Sequence, residues 1–236
     1  MIKPTKNGTA KLGILVLDTG FPRIIGDVGN PDTWCFPVTM KTVKGATPTQ
    51  VTGSEVDSLL DAFIDAANEL VNEGVDGITT TCGFLAWLQK PLAEHCSVPV
   101  ATSSLLQIPS INALLPPGKR AGVVTFSSEF LTNSHFEGVG APGDTPRQGL
   151  SKHSAFYRMI IEGHKEIDTG QAKRDVIQAG KTLVNNHPEV GAIVIECANM
   201  PPYSAELRRE QQLPIYDPYT FVNWFYSSLS PATFEN

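Results

Sequence analysis

The sequence lacks any apolar run approaching the roughly 20 residues that a bilayer-spanning helix needs; the segment from Leu12 to Leu17 stops at Asp18. It also lacks the apolar core of a secretory leader, because the start from Met1 to Lys11 is polar. The expectation is a cytoplasmic protein with no membrane partner. Basic charge is scarce: 18 Lys and Arg against 24 Asp and Glu give a formal net charge of −6. That balance argues against a nucleic-acid partner, since binders of phosphate backbones carry a basic face. Cysteine is sparse as well. Cys35, Cys82, Cys96 and Cys197 are widely and irregularly spaced, unlike a secreted disulfide framework, so free thiols are expected.

Several motifs are missing. There is no phosphate loop ending in Gly-Lys-Ser/Thr, no Gly-x-Ser-x-Gly elbow and no paired histidine spacing for zinc. Gly138 to Gly143 has the glycine spacing of a dinucleotide loop, but it follows no clear strand and contains Pro142, so it reads as an ordinary loop. The stretch from Glu137 to Ser151 reads as a lid or a surface loop. His95, His135, His153, His164 and His187 are scattered and read as surface residues.

What is present is ordinary globular composition, 41% hydrophobic and 18% charged over 236 residues, enough for a substantial core. Short β-branched runs at 12–17, 34–38, 77–81, 99–102, 121–125, 192–195 and 214–216 read as buried strands. Between them lie helical patterns. The clearest runs over 54–73, with apolar positions from Val56 to Leu70 and an opening Ser54 followed by Asp57. Others are expected at 85–94, 105–115, within 154–186, at 205–211 and at 219–227. The alternation predicts an α/β fold with parallel sheets covered by helices. The aromatic cluster from Tyr216 to Tyr226 reads as a terminal helix packing its rings, with a homo-oligomer contact as the alternative.

An internal repeat organises these elements. Aligning Cys82 with Cys197 pairs Ile78-Thr79-Thr80-Thr81 with Ile193-Val194-Ile195-Glu196, and Val98-Pro99 with Leu213-Pro214. At a slightly smaller offset, Leu12 to Val16 resembles Ala121 to Thr125. The prediction is two pseudosymmetric parallel-sheet halves of similar topology, residues 1–104 and 105–236, with the active-site cleft between them. Each cysteine directly follows a strand, at the end where open α/β sheets bind ligands. Two thiols flanking one carbon suit removal of a proton from one face and its return to the other, as in a racemase or epimerase.

The turns themselves resemble the aspartate/glutamate racemase superfamily, which includes hydantoin racemases and arylmalonate decarboxylases. Leu17-Asp18-Thr19-Gly20 is similar to the Asp-Ser-Gly turn of glutamate racemases, and Glu196-Cys197-Ala198-Asn199-Met200 to the cysteine turn of hydantoin racemases. Thr81-Cys82-Gly83-Phe84 supplies the paired first cysteine. The resemblance implies a cofactor-independent isomerase acting at a carbon α to a carboxylate, such as an amino acid or a hydantoin. Cys82 and Cys197 would be its acid and base, with no metal and no pyridoxal site. Two alternatives are an arylmalonate-type decarboxylase, which needs one cysteine, and a silent carboxylate-binding protein.

Around the thiols, candidate substrate contacts come from Asp18 and Thr19, from Arg23 as a carboxylate partner, and from strand-end hydroxyls of Thr81, Thr125, Ser127 and Ser128. The amides of Gly83, Phe84, Ala198 and Asn199 are candidates to hold a carboxylate and lower thiol pKa. Cys35 and Cys96 have no paired positions and read as structural. Glutamate racemases carry Thr and His after the second cysteine, whereas this chain has Ala198 and Asn199, and neutral Asn cannot shuttle a proton as His can. Glu196 would raise a neighbouring thiol's pKa if it lies close and ionised.

Overall fold

A run such as Leu12–Leu17 can satisfy its backbone and bury both faces only inside a covered parallel sheet. That is its place in the computed structural model, which describes residues 9–52 and 56–232. Strands β1 (Leu12–Leu17), β2 (Val38–Val43), β3 (Gly77–Thr80) and β4 (Val100–Ala101) form one parallel sheet in the order β2-β1-β3-β4. Strands β5 (Arg120–Thr125), β6 (Arg147–Gly149), β7 (Val190–Ile195) and β8 (Ile215–Tyr216) form a second, in the order β6-β5-β7-β8. The two orders are the same, as the repeat predicts.

Helices cover both sheets. The first group is α1 (Pro48–Val51), α2 (Leu60–Asn72), α3 (Gln89–His95) and α4 (Ile108–Leu114). In α2 the stripe Phe63, Ala66, Ala67 and Leu70 is buried on the first sheet. The Ser54 start expected for this helix lies outside the described residues. The second group is α5 (Asn133–Glu137), α6 (Ala155–Ile160), α7 (Thr169–Asn186), α8 (Ser204–Gln211) and α9 (Pro218–Leu229). Asp168 caps α7 by accepting from the Gln171 amide at 2.9 Å, and Asp217 with Thr220 forms a capping box on α9.

Helix α9 returns to the first sheet. Its Tyr226 hydroxyl donates to the Ala10 carbonyl at 2.9 Å, and the Phe36 and Tyr226 rings stack. Trp34 and Phe36 join this cluster with Phe221, Val222 and Phe225. The segment 34–38 was expected as a strand; its apolar residues instead serve loop packing, and the edge strand begins at Val38. Three further elements, the short helices α1 and α5 and the three-residue β6, lie outside the expected ones. Strand β6, near the end of the stretch 137–151, pairs with β5 and anchors that end of the stretch in the second sheet. His135 is also buried, contrary to the surface expectation: its ring meets Phe84 edge-on at 5.5 Å.

Among the described residues no helix is long and apolar enough to cross a membrane. The halves are bonded directly to each other. The Ser104 hydroxyl donates to the Ile195 carbonyl at 2.7 Å, and the Val28 amide to the Ala198 carbonyl at 3.1 Å.

Candidate active site

The ladder of each sheet ends just before its cysteine. The Thr81 amide donates to the Leu15 carbonyl at 3.0 Å and the Glu196 amide to the Val124 carbonyl at 2.9 Å, so Cys82 and Cys197 leave their sheets at equivalent points. Both line one small pocket at the strand carboxyl ends. Leu17, Phe21, Phe84, Phe126 and Ile160 give it apolar walls, and Arg23, Thr81, Glu196 and Asn199 are among its polar lining residues.

The Thr80 side chain shapes the first turn, donating to the Thr102 carbonyl at 2.7 Å and accepting from the Cys82 amide at 3.3 Å. Cys82 stands at the start of a 3-10 helix, Gly83–Leu88, and is half-buried. Desolvation pushes its thiol up to about 12; the Glu196 charge adds to this, while the Phe84 and Leu85 amides and Arg23 pull it down. Cys197 is buried, and its thiol donates to Asn199 Oδ1 at 3.5 Å. Desolvation pushes Cys197 well up, followed by the charge of Glu196; the Asn199 backbone amide pulls it down, while Cys82 and Asp27 add to the rise.

Glu196 is 1% exposed and belongs to both halves. Its Oε2 accepts from the Thr125 hydroxyl at 2.8 Å, and the amides of Phe126 and Phe84 also serve the carboxylate. Burial nevertheless pushes its pKa up to about 7. The Phe84 amide, expected to meet a substrate carboxylate, therefore meets Glu196. Gly83 permits this contact: a Cβ there would lie 2.4 Å from both the Glu196 carbonyl and its Oε1.

Arg23 reaches the pocket from the loop after β1. Its Nη1 donates to Asp27 Oδ1 at 3.0 Å and its Nη2 to Thr19 Oγ1 at 3.1 Å, with the guanidinium 4.9 Å from the centre of the Phe21 ring. A guanidinium carries five donors, more than these contacts use.

Some expected residues lie elsewhere. Asp18 is exposed and accepts from the Gly45 amide at 3.0 Å, closing a loop. Thr125 is buried behind the pocket against Glu196, while Ser127 and Ser128 pack against Gly149. Thr19 acts on the pocket through Arg23. Asp27 was not expected at all: it follows no repeat or periodicity and meets Asn199 only through the fold. Among the described residues no group of three or more His, Cys, Asp or Glu comes together as a metal site.

No protein-family model matches the chain. Among solved structures, it superposes on arylmalonate decarboxylase with a TM-score of 0.60 at 17% identity, covering 93% of this chain and 92% of that one. It superposes on the aspartate racemase of Picrophilus torridus with a TM-score of 0.59 at 13% identity, covering 96% of each. These likenesses establish a shared fold.

Sequence relatives carry a different name. A dimethylsulfoniopropionate lyase of Durusdinium sp. clade D is 30% identical over 230 residues, 92% of this chain and 74% of the relative. Dimethylsulfoniopropionate lyase 3 of Emiliania huxleyi (strain CCMP1516) is 28% identical over 228 residues, and the match spans 59% of that protein. The isomerase expected from the turns thus has its sequence relatives among lyases. By identity and coverage the chain belongs to the dimethylsulfoniopropionate lyase family.

Proposed function

We propose that the pocket removes the proton α to a carboxylate with a cysteine thiolate, and that the substrate is dimethylsulfoniopropionate or a close β-sulfonio acid. The observation that carries this reading is the joint placement of two thiols and Arg23 in one apolar pocket. Arg23 holds the carboxylate through charge-assisted hydrogen bonds. Cys82 is the base, because its sulfur is served by two backbone amides and the charge of Arg23. As the Cα–H pair moves into a Cα=Cβ bond, the Cβ–S bond breaks. Neutral dimethyl sulfide leaves with that bond's electron pair and acrylate remains.

The substrate itself helps to ionise the base. A sulfonium cation beside a desolvated thiol favours the thiolate, and the faces of Phe21, Phe84 and Phe126 suit a cation with methyl groups. Every proton step is carried by side chains of this chain, without a cofactor.

The second thiol supports a second reading. With Cys197 in the same pocket, a substrate lacking a β leaving group would be reprotonated on the opposite face, which is racemisation. Proton NMR in deuterated water separates the two, with dimethylsulfoniopropionate run beside a panel of amino acids, hydantoins and malonates. Vinyl signals of acrylate with dimethyl sulfide are expected. Deuterium at an inverted α-carbon with no elimination would replace the lyase reading by the racemase one, and turnover of nothing in the panel would overturn both.

A further inference from the structure

Asp27 is the buried carboxylate that the chemistry above leaves unused. It is 2% exposed, in the loop after β1. Its Oδ1 accepts from Arg23 Nη1 at 3.0 Å and from the Gly29 amide at 2.7 Å, and its Oδ2 accepts from Asn199 Nδ2 at 2.5 Å. Burial raises its pKa, and Arg23, Gly29 and Asn199 draw it back toward the ionised form. The neighbouring contact from the Val28 amide to the Ala198 carbonyl pins this loop to the second cysteine turn.

An ionised carboxylate only accepts hydrogen bonds, so the Asn199 group facing it is the NH2. The amide oxygen is thereby turned to the opposite side, where it accepts from Cys197 Sγ at 3.5 Å. A carbonyl oxygen in that place stabilises S–H and opposes S⁻. The charged and titratable groups acting on Cys197 have the same sense: Glu196 from its own strand, Cys82 from the first half and Asp27 itself. The nearby cation, Arg23, is bound by Asp27.

We propose that Asp27 is a positioning residue that orients two groups at once: Arg23 toward the pocket and, through the Asn199 amide, a hydrogen-bond acceptor toward Cys197 that keeps this thiol the protonated member of the pair. The Arg23 part rests on the carboxylate reading given above; the Cys197 part needs no substrate.

The test is the rate of Cys197 alkylation by iodoacetamide between pH 7 and 9, followed by peptide mass spectrometry in a Cys82→Ser background. In Asp27→Asn the new carboxamide keeps its oxygen toward the donors Arg23 and Gly29, so its NH2 faces Asn199 and turns that amide over. The Asn199 NH2 then faces the sulfur, and alkylation rises about tenfold at a given pH, equivalent to one pKa unit. Asn199→Leu, similar in size but without an acceptor, also accelerates alkylation. In the Cys82-containing enzyme, Asp27→Asn raises KM for the carboxylate substrate, because Arg23 loses the carboxylate that orients it.

Unchanged alkylation profiles in both variants, each with native circular dichroism, would overturn the proposal. Accelerated alkylation in a protein that turns over no substrate would leave Asp27 acting on Cys197 and remove the proposed reaction. Turnover without any alkylation shift would do the reverse.

Discussion

Thr81-Cys82-Gly83-Phe84 and Glu196-Cys197-Ala198-Asn199 occupy equivalent turns of two sheets with the same strand order, and burial and Glu196 oppose both thiolates, yet the remaining partners of the two sulfurs differ. In the first turn, small Thr81 precedes the thiol, and the amides of Phe84 and Leu85 face it together with the charge of Arg23. In the second, Glu196 precedes the thiol and the Asn199 carbonyl accepts from it. The backbone is repeated and the electrostatics are not. On the proposed reading, the Arg23 charge and the second amide at Cys82 make it the base, and the acceptor at Cys197 keeps that thiol protonated.

The position after each cysteine is where the two turns differ most in the space they leave. Ala198 carries a Cβ in the second turn, whereas a Cβ at Gly83 would meet the Glu196 carbonyl and carboxylate at 2.4 Å. Gly83→Ala is expected to lower stability by about 1–3 kcal/mol, as overpacking does, and to cut activity by displacing Glu196. Urea denaturation with parallel kinetics measures both. Ala198→Gly, the mirror change, should leave the Glu196 contacts and most of the activity in place.

A smaller effect comes from pH. Burial raises the Glu196 pKa from 4.5 to about 7, so the native state holds a proton that the unfolded chain has already released. That stability is fully present below pH 4.5 and is lost as pH rises toward about 7, amounting to roughly 3 kcal/mol. His135, whose pKa burial lowers, works in the opposite direction, so the informative quantity is a difference. Wild type minus Glu196→Gln, compared by denaturation at pH 5 and pH 8, should show wild type losing more stability on going to pH 8. Equal slopes would mean that Glu196 does not titrate in this window. At pH 8 the same variant should also alkylate faster at both cysteines, since it removes a negative charge that opposes both thiolates.

Much of the architecture was legible because it was repeated. Two apolar strand runs, each followed by a cysteine and later by a Pro-led strand, carry the sheet order and place both thiols at the same pocket. What escaped the sequence was held by packing or by distance. Trp34 and Phe36 are apolar to meet α9, not to form a strand. The Arg147–Gly149 strand has no β-forming composition and exists because β5 offers it an edge. Asp27 meets Asn199 across 172 residues, and only folding joins them. The strand-end hydroxyls expected to touch substrate, Thr125 above all, are used inside the protein to hold Glu196.

The division of labour between the thiols is tested most directly by measuring dimethyl sulfide release from dimethylsulfoniopropionate by wild type, Cys82→Ser and Cys197→Ser. Loss of the base is expected to lower kcat by about 10²–10⁴ in Cys82→Ser. Cys197→Ser should stay within about tenfold of wild type, because an elimination returns no proton to carbon. The reverse ranking, with Cys197→Ser inactive and Cys82→Ser active, would contradict the account.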